Sequence, residues 1–152
     1  MKFTKTDPSV NILMATYNGE SYLDEQLTTI YNQDIRNLNI IISDDDSVDR
    51  TNLILHKWKL RWNKGKFIVL SGPRRGYSEN FRSLLCRSNI DADYTAFCDQ
   101  DDVWHERKLS VAIEAIEGCG KARPGLYCSR TMLVNEVGAP IGLSPEFRRP
   151  PS

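Results

Sequence analysis

Ala96-Phe97-Cys98-Asp99-Gln100-Asp101-Asp102-Val103-Trp104 sets three carboxylates directly behind a short β-favouring run. Tyr94 to Cys98 has strand composition, whereas Trp104, Lys108, Leu109, Ala112, Ile113 and Ile116 recur at helical spacing, so the acids fill a strand-to-helix turn. In an open α/β sheet such a turn lies on the ligand-binding edge. Asp99 and Asp101 flank a single residue, which lets hard oxygen ligands face one side and hold a divalent cation jointly with substrate phosphates. Such a cation acts as a Lewis acid. A solvated acidic turn in front of a helix accounts for the same residues, each carboxylate offsetting the macrodipole by roughly 0.3 to 1 kcal/mol. The turn alone leaves both readings open.

Toward the N-terminus, Val10 to Ala15 is a continuous apolar run apart from Asn11, as expected of a strand buried on both faces of a parallel sheet. Thr16-Tyr17-Asn18-Gly19 breaks it. Ser21 and Asp24 form an S-x-x-D capping box, and Tyr22, Leu23, Leu27, Ile30 and Tyr31 mark one face of the helix that follows. Leu38 to Ile42 is a second buried strand ending in Ser43-Asp44-Asp45-Asp46-Ser47, with Leu53, Ile54 and Trp58 on the next helix. Phe67 to Leu70 supplies a third strand, then the loop Ser71-Gly72-Pro73-Arg74-Arg75-Gly76 and a helix carrying Phe81, Leu84 and Leu85. Beyond a turn region from Gly118 to Gly125, Leu126 to Val134 is a fifth strand candidate and Val137-Gly138-Ala139-Pro140 a turn. Ser144 to Ser152 has too little apolar surface to fold alone, and the chain reads as stopping mid-domain.

Strands alternating with helices imply an α/β, Rossmann-like, mostly parallel sheet with helices on both faces, whose right-handed crossovers bring successive strand ends to one edge. The acids after the second and fourth strands then share that edge. Asp45 and Asp101 within about 5 Å, at an effective dielectric near 20, would repel by roughly 3 kcal/mol, a large share of a domain's stability. A bound cation or a donor-rich ligand removes that cost.

Composition narrows the function classes. At 152 residues the chain is about one domain, with 40% hydrophobic and 26% charged residues, ordinary for a globular protein. Lysine plus arginine equals aspartate plus glutamate at 20 each, so no overall field points to nucleic acid and no nucleic-acid partner is expected. Cys86, Cys98, Cys119 and Cys128 show no C-x-x-C pairing, so they are expected as buried reduced thiols rather than a zinc or disulfide framework. Met1 to Pro8 lacks an apolar signal core and no run approaches the ~20 apolar residues of a membrane span, so a cytoplasmic location follows by default. His56 and His105 are expected at the surface, and Trp58, Trp62 and Trp104 as packing residues.

Three segments, Ile12-Leu13-Met14-Ala15-Thr16-Tyr17-Asn18-Gly19, Ile41-Ile42-Ser43-Asp44-Asp45-Asp46-Ser47 and Phe97-Cys98-Asp99-Gln100-Asp101-Asp102-Val103-Trp104, together resemble family 2 glycosyltransferases of the GT-A fold. They stand at successive strand ends and cover most of residues 10 to 110. The wording of Cys98 to Trp104 is most similar to the rhamnosyltransferase-like branch, which implies a dTDP- or UDP-linked sugar donor. The resemblance places Thr16, Tyr17 and Glu20 in the base and ribose pocket, with Asp45 accepting a hydrogen bond from the pyrimidine ring N–H. It makes Asp99 a ribose or sugar contact that shares a metal with Asp101, and gives Asp101 a Mg2+ or Mn2+ ion bridging the diphosphate. Asp102 becomes sugar-facing or supporting, and Arg75 and Asn80 approach the nucleotide. Tyr17 serves equally well as a core residue, and Arg74 and Arg75 as a solvated loop.

The resemblance divides the chain into an N-terminal extension (1–9), a nucleotide-sugar-binding α/β domain (10–143) and a tail (144–152) leading to a missing acceptor-side part. Ala15 stands where the family commonly has proline, and Asp46 where it has glycine. The family is inverting, and its base carboxylate and Q-x-x-R-W-like segment are expected beyond Ser152, since Glu136 and Glu146 lie in turn and tail contexts. The chain is thus expected to be a truncated donor-binding half, its acceptor a saccharide or lipid-linked molecule and the full-length protein peripheral at the inner membrane face. Two alternatives stand beside this. Asp44-Asp45-Asp46-Ser47-Val48 fits the D-x-D-x-[TV] motif of haloacid-dehalogenase-like phosphohydrolases, and the chain alone fits a non-catalytic nucleotide-sugar-binding fragment. A nucleotidyltransferase would want a glycine-rich phosphate loop where only Gly19 stands, and an EF-hand fails at Asp49.

Overall fold

Asn11 to Thr16 and Leu38 to Asp45 are buried without interruption, which strands achieve only when both faces of their sheet are covered. A computed structural model of the chain, describing residues 7–87, 91–120 and 124–146, shows that arrangement. Strand β1 (Ser9–Thr16) pairs in parallel with β2 (Asn37–Asp44) from Ser9↔Asn37 to Thr16↔Asp44. Strand β3 (Phe67–Ser71) extends the sheet beyond β2, and β4 (Tyr94–Cys98) lies on the other side of β1, giving the parallel order β3-β2-β1-β4. The strand order therefore reverses between β1 and β4, and a crevice opens there at the carboxyl ends.

Side chains alternate across the two faces. Ile12, Met14, Ile40 and Ile42 pack beneath α1 (Leu23–Tyr31), α2 (Thr51–Arg61) and α4 (Lys108–Gly118) through Leu23, Leu27, Ile30, Leu55, Trp58, Leu109 and Ile113. Leu13, Ala15 and Ile41 face α3 (Tyr77–Arg87) through Leu84, with Phe81 alongside. Each fully buried leucine or isoleucine contributes about 1.5–3 kcal/mol, so these two layers carry the fold. Asn11, the polar exception in β1, accepts a 3.0 Å hydrogen bond from Asn39 Nδ2, which removes the penalty of burying it. Beneath β3, edge-to-face rings of Tyr31, Trp58, Trp62 and Phe67 close the larger core at centroid separations of 5.6–6.5 Å.

Several sequence expectations are corrected. Ser21 does not cap α1: Tyr22 occupies the cap without a side-chain hydrogen bond, and Asp24 instead accepts Trp58 Nε1 at 2.7 Å. The long-range indole donor outcompetes the local box. Leu53 is exposed, and α2 buries Leu55 in its place alongside the expected Trp58. Trp104 is buried but precedes α4, which starts at Lys108. The fifth strand candidate shrinks to β5 (Met132–Val134), which pairs antiparallel with β6 (Pro140–Leu143) in a separate exposed hairpin, so Pro140 starts a strand rather than ending a turn. Only Cys98 is buried, whereas Cys86, Cys119 and Cys128 are free and exposed. Ser9, assigned to the extension, opens β1. Residues 1–6, part of the 118–125 turn and the tail at 147–152 lie outside the described residues. No helix among the described residues is long and apolar enough to cross a membrane.

Candidate functional site

The carboxyl edge of the sheet holds a cavity of about 870 Å3 to which every strand end except that of β3 contributes directly. Thr16 and Tyr17 come from β1, Asp45 and Asp46 from the turn after β2, and Asp99, Gln100 and Asp101 from the turn after β4. Arg74 and Gly76 of the β3–α3 loop, and Tyr77, Asn80 and Phe81 of α3, form the remaining wall. The two acid clusters that the sequence places on one edge thus face one space.

Asp44 and Asp45 do different work. Asp44 turns inward, accepting Thr16 Oγ1 at 2.9 Å, Ser47 N at 3.0 Å and the Ser47 hydroxyl, and it does not line the cavity. A phosphohydrolase would need Asp44 as its exposed nucleophile, so the geometry does not favour that alternative. Asp45 accepts backbone N–H groups from Arg74 and, at 3.0 Å, Gly76, which moors the β3–α3 loop to the end of β2. Gly72 passes so close that a Cβ there would lie 2.7 Å from Asp45 Oδ1 and 2.9 Å from the Asp44 carbonyl oxygen. A carboxylate has about four lone-pair sites, so two amide donors leave Asp45 able to accept from a ligand.

Strain gathers around this cavity. Among the described residues, the non-glycine residues with positive φ are Asn18 (48°), Asp46 (73°) and Arg74 (59°), one in each of the loops after β1, β2 and β3. Such conformations persist where surrounding structure over-determines them, and they cluster at functional sites. Asp46 explains itself here: its φ belongs to the region that favours glycine, and its carboxylate meets Arg74 Nη2 at 2.9 Å. Asn18 Oδ1 accepts Val48 N at 3.0 Å, tying the first loop to the second.

The turn after β4 is electrostatically tense. Asp99 is exposed as a residue, yet desolvation of its carboxyl, then the charges of Asp102 and Asp101, raise its pKa above the usual carboxylate value. Desolvation and the charge of Asp101 also raise that of Asp102, with Lys108 and a hydrogen bond from Trp104 working against them. Beneath them Cys98 receives a 2.6 Å hydrogen bond from Gln26 Nε2, and burial pushes its thiol strongly up, so it is an inert packing group.

Of the residues singled out from sequence, the cavity collects Thr16, Tyr17, Asp45, Asn80, Asp99 and Asp101. Tyr17 is 58% exposed and is therefore not core. Glu20 lies away from the wall, its Oε2 accepting Arg50 N at 2.8 Å at the start of α2. Arg75 borders a separate 390 Å3 depression with Glu79, Arg82 and Arg87, while its neighbour Arg74 takes the place on the wall. Asp102 faces a second cavity of about 680 Å3 between α4 and the β5–β6 hairpin, and Asp101 lines both. Asn80 is 1% exposed: its Nδ2 donates to the Ser43 carbonyl at 2.9 Å, while its buried Oδ1 has no hydrogen-bond partner among the described residues. Sequence reasoning missed Gln100, whose only signal was a polar neutral residue between two acids. Gln100 Oε1 accepts Tyr17 N at 2.9 Å and its Nε2 donates to the Tyr17 carbonyl at 3.0 Å.

The family model described as Glycosyl transferase family 2 matches residues 11–136. Among curated relatives, the dTDP-rhamnosyl transferase RfbG of Shigella flexneri is 37% identical over 105 residues, covering 68% of this chain and 36% of the relative. S. aureus TarS 1-349, solved in complex with UDP-GlcNAc, superposes with a TM-score of 0.58 at 25% identity over 72% of this chain and 31% of that one. The mannosyltransferase PcManGT from Pyrobaculum calidifontis, solved with GDP-Man and Mn2+, shares the fold with a TM-score of 0.61 at 23% identity, over 71% of this chain and 32% of that one. The chain spans about a third of the length of the curated relatives it matches.

Proposed function

The chain belongs to glycosyl transferase family 2, and from that premise we propose that its β1-to-α4 unit is the donor-binding half of an inverting glycosyltransferase. It takes a dTDP- or UDP-linked sugar, which the whole protein passes to a saccharide or lipid-linked acceptor. The observation that carries this reading is the shared wall: Asp45 from β2 and Asp99 and Asp101 from β4 line one cavity together with Thr16 and Tyr17.

Each residue has a physical task on this reading. The exposed Tyr17 ring offers a stacking face to the base. Asp45, an acceptor held by two backbone amides, selects a pyrimidine that presents a ring N–H. Asn80 Oδ1, buried without a partner, gains one from a ligand donor, recovering the roughly 1–3 kcal/mol that an unsatisfied buried acceptor costs. Asp99 contacts the ribose or sugar.

The donor set at the turn after β4 suits Mg2+ or Mn2+. Asp99 and Asp101 supply hard oxygens, and desolvation together with the charges of Asp102 and Asp101 disfavours an ionised Asp99 without a cation. No group of three or more His, Cys, Asp or Glu able to hold a metal occurs among the described residues. Asp99 and Asp101 would therefore share the ion with diphosphate oxygens and water, as one or two carboxylates commonly do for Mg2+. When bound, such an ion offsets the charge that develops on the leaving diphosphate. Asp101 also borders the second cavity, which on this reading admits the acceptor.

Calorimetric titration of the chain with UDP, dTDP and GDP, each with Mn2+, tests the reading. Binding of the two pyrimidine diphosphates at least tenfold tighter than GDP is the expected result. Equal affinity for GDP, or no binding of any, would remove it.

A further inference from the structure

We propose that Gln100 is a positioning residue that clasps the β1 loop to the acidic turn, coupling the base side of the cavity to its metal side; the inference rests on the donor-binding reading above. The β1–β4 ladder ends at Met14↔Cys98. Beyond it, at the point where strand order reverses, no backbone pairing joins the two strand ends among the described residues. Gln100 resumes the connection with its side chain, its carboxamide meeting both the N–H and the carbonyl of Tyr17 at 2.9 and 3.0 Å, as a neighbouring strand would. Among side chains of this length only glutamine carries a neutral donor and acceptor on one fork.

The residues on either side of Gln100 are Asp99 and Asp101, and both line the cavity. Fixing the side chain between them fixes the turn that aims them, while the same two bonds hold the backbone of Tyr17. A second observation marks the contact as built. The carboxamide lies close against Gly19, where a Cβ would approach Gln100 Cδ to 2.8 Å and Oε1 closer still. Gly19 is not at positive φ, so its lack of a side chain serves the space Gln100 occupies rather than a backbone requirement.

That geometry prescribes a double-mutant cycle of Gln100→Ala, Gly19→Ala and the double variant, with Asp101→Ala as a control. UDP affinity is measured in EDTA and in Mn2+, and melting confirms that each variant folds. Gln100→Ala is expected to weaken UDP binding about tenfold in EDTA and to lower the further gain from Mn2+. Asp101→Ala should lower only the Mn2+ gain. Gly19→Ala should act like Gln100→Ala by displacing the carboxamide, and the double variant should bind no worse than Gln100→Ala alone. Additive losses in the double variant, or wild-type affinity of Gln100→Ala in both conditions, would overturn the assignment while leaving the donor reading intact. Absence of both UDP and dTDP binding by the wild-type chain would remove both.

Discussion

Thr16 Oγ1 donates to Asp44 Oδ1 at 2.9 Å across the last rung of the β1–β2 ladder, where the two residues are register partners. The acceptor is a carboxylate, which strengthens the bond, and both residues are buried, which shields it from water. Thr16→Val keeps the shape and leaves the Asp44 carboxylate one donor short. Such bonds contribute about 1.5–3 kcal/mol, and the urea midpoint should fall accordingly with an unchanged slope. Thr16→Ser, which retains the hydroxyl, should lose much less.

Gly72 threads between Asp44 and Asp45 with no room for a side chain, two of the three nearest atoms being backbone. Backbone cannot swing aside as a flexible side-chain tip can, so Gly72→Ala should push the β3–α3 loop off the Asp45 carboxylate. Overpacking of this kind costs typically about 1–3 kcal/mol. Faster hydrogen exchange at the Arg74 and Gly76 amides, both now bonded to Asp45, would report it directly.

The raised pKa of Asp99 fixes the sign of a pH effect. A carboxyl that holds its proton more tightly folded than unfolded destabilises the fold when ionised, and that penalty is complete above its folded pKa. It is relieved as pH falls toward the ordinary value of 3.8. In EDTA, Asp99→Asn should therefore melt above wild type at pH 7.5, and the gap should close near pH 4. A gap that widens on acidification would contradict the desolvation of Asp99 and its repulsion by Asp102 and Asp101.

Strands β1 and β2 were legible because each is an apolar run broken by a polar turn, as burial on both faces requires, whereas β3 and β4 are only partly covered and were legible from β-favouring composition ahead of a polar turn. Their order was less accessible, since Val10 to Ala15 and Tyr94 to Cys98 pair across more than eighty residues with nothing local to announce it. Short-range signals failed where distant partners intervened: Asp24 looked like a capping residue until Trp58 reached it. Leu126 to Val134 read as a fifth strand candidate because composition does not reveal which partner a strand meets, and only Met132–Val134 pairs, with β6. Asp45, Asp99 and Asp101 were found as acids at strand ends, but the exchange of Arg75 for Arg74 depends on one left-handed residue in the loop, and Gln100 on a contact with Gly19.

The central claim, that acids from β2 and β4 converge on a metal-bound nucleoside diphosphate, is tested most directly by the melting temperature of wild type and Asp101→Ala with UDP or dTDP, in Mn2+ and in EDTA. Ligand at a hundredfold its dissociation constant stabilises by about 2.7 kcal/mol, which for a chain of this size is a shift of roughly 5–10 °C. Wild type should gain more in Mn2+ than in EDTA, and Asp101→Ala should keep the EDTA shift and lose the rest. Identical Mn2+-dependent shifts in the two proteins would contradict it.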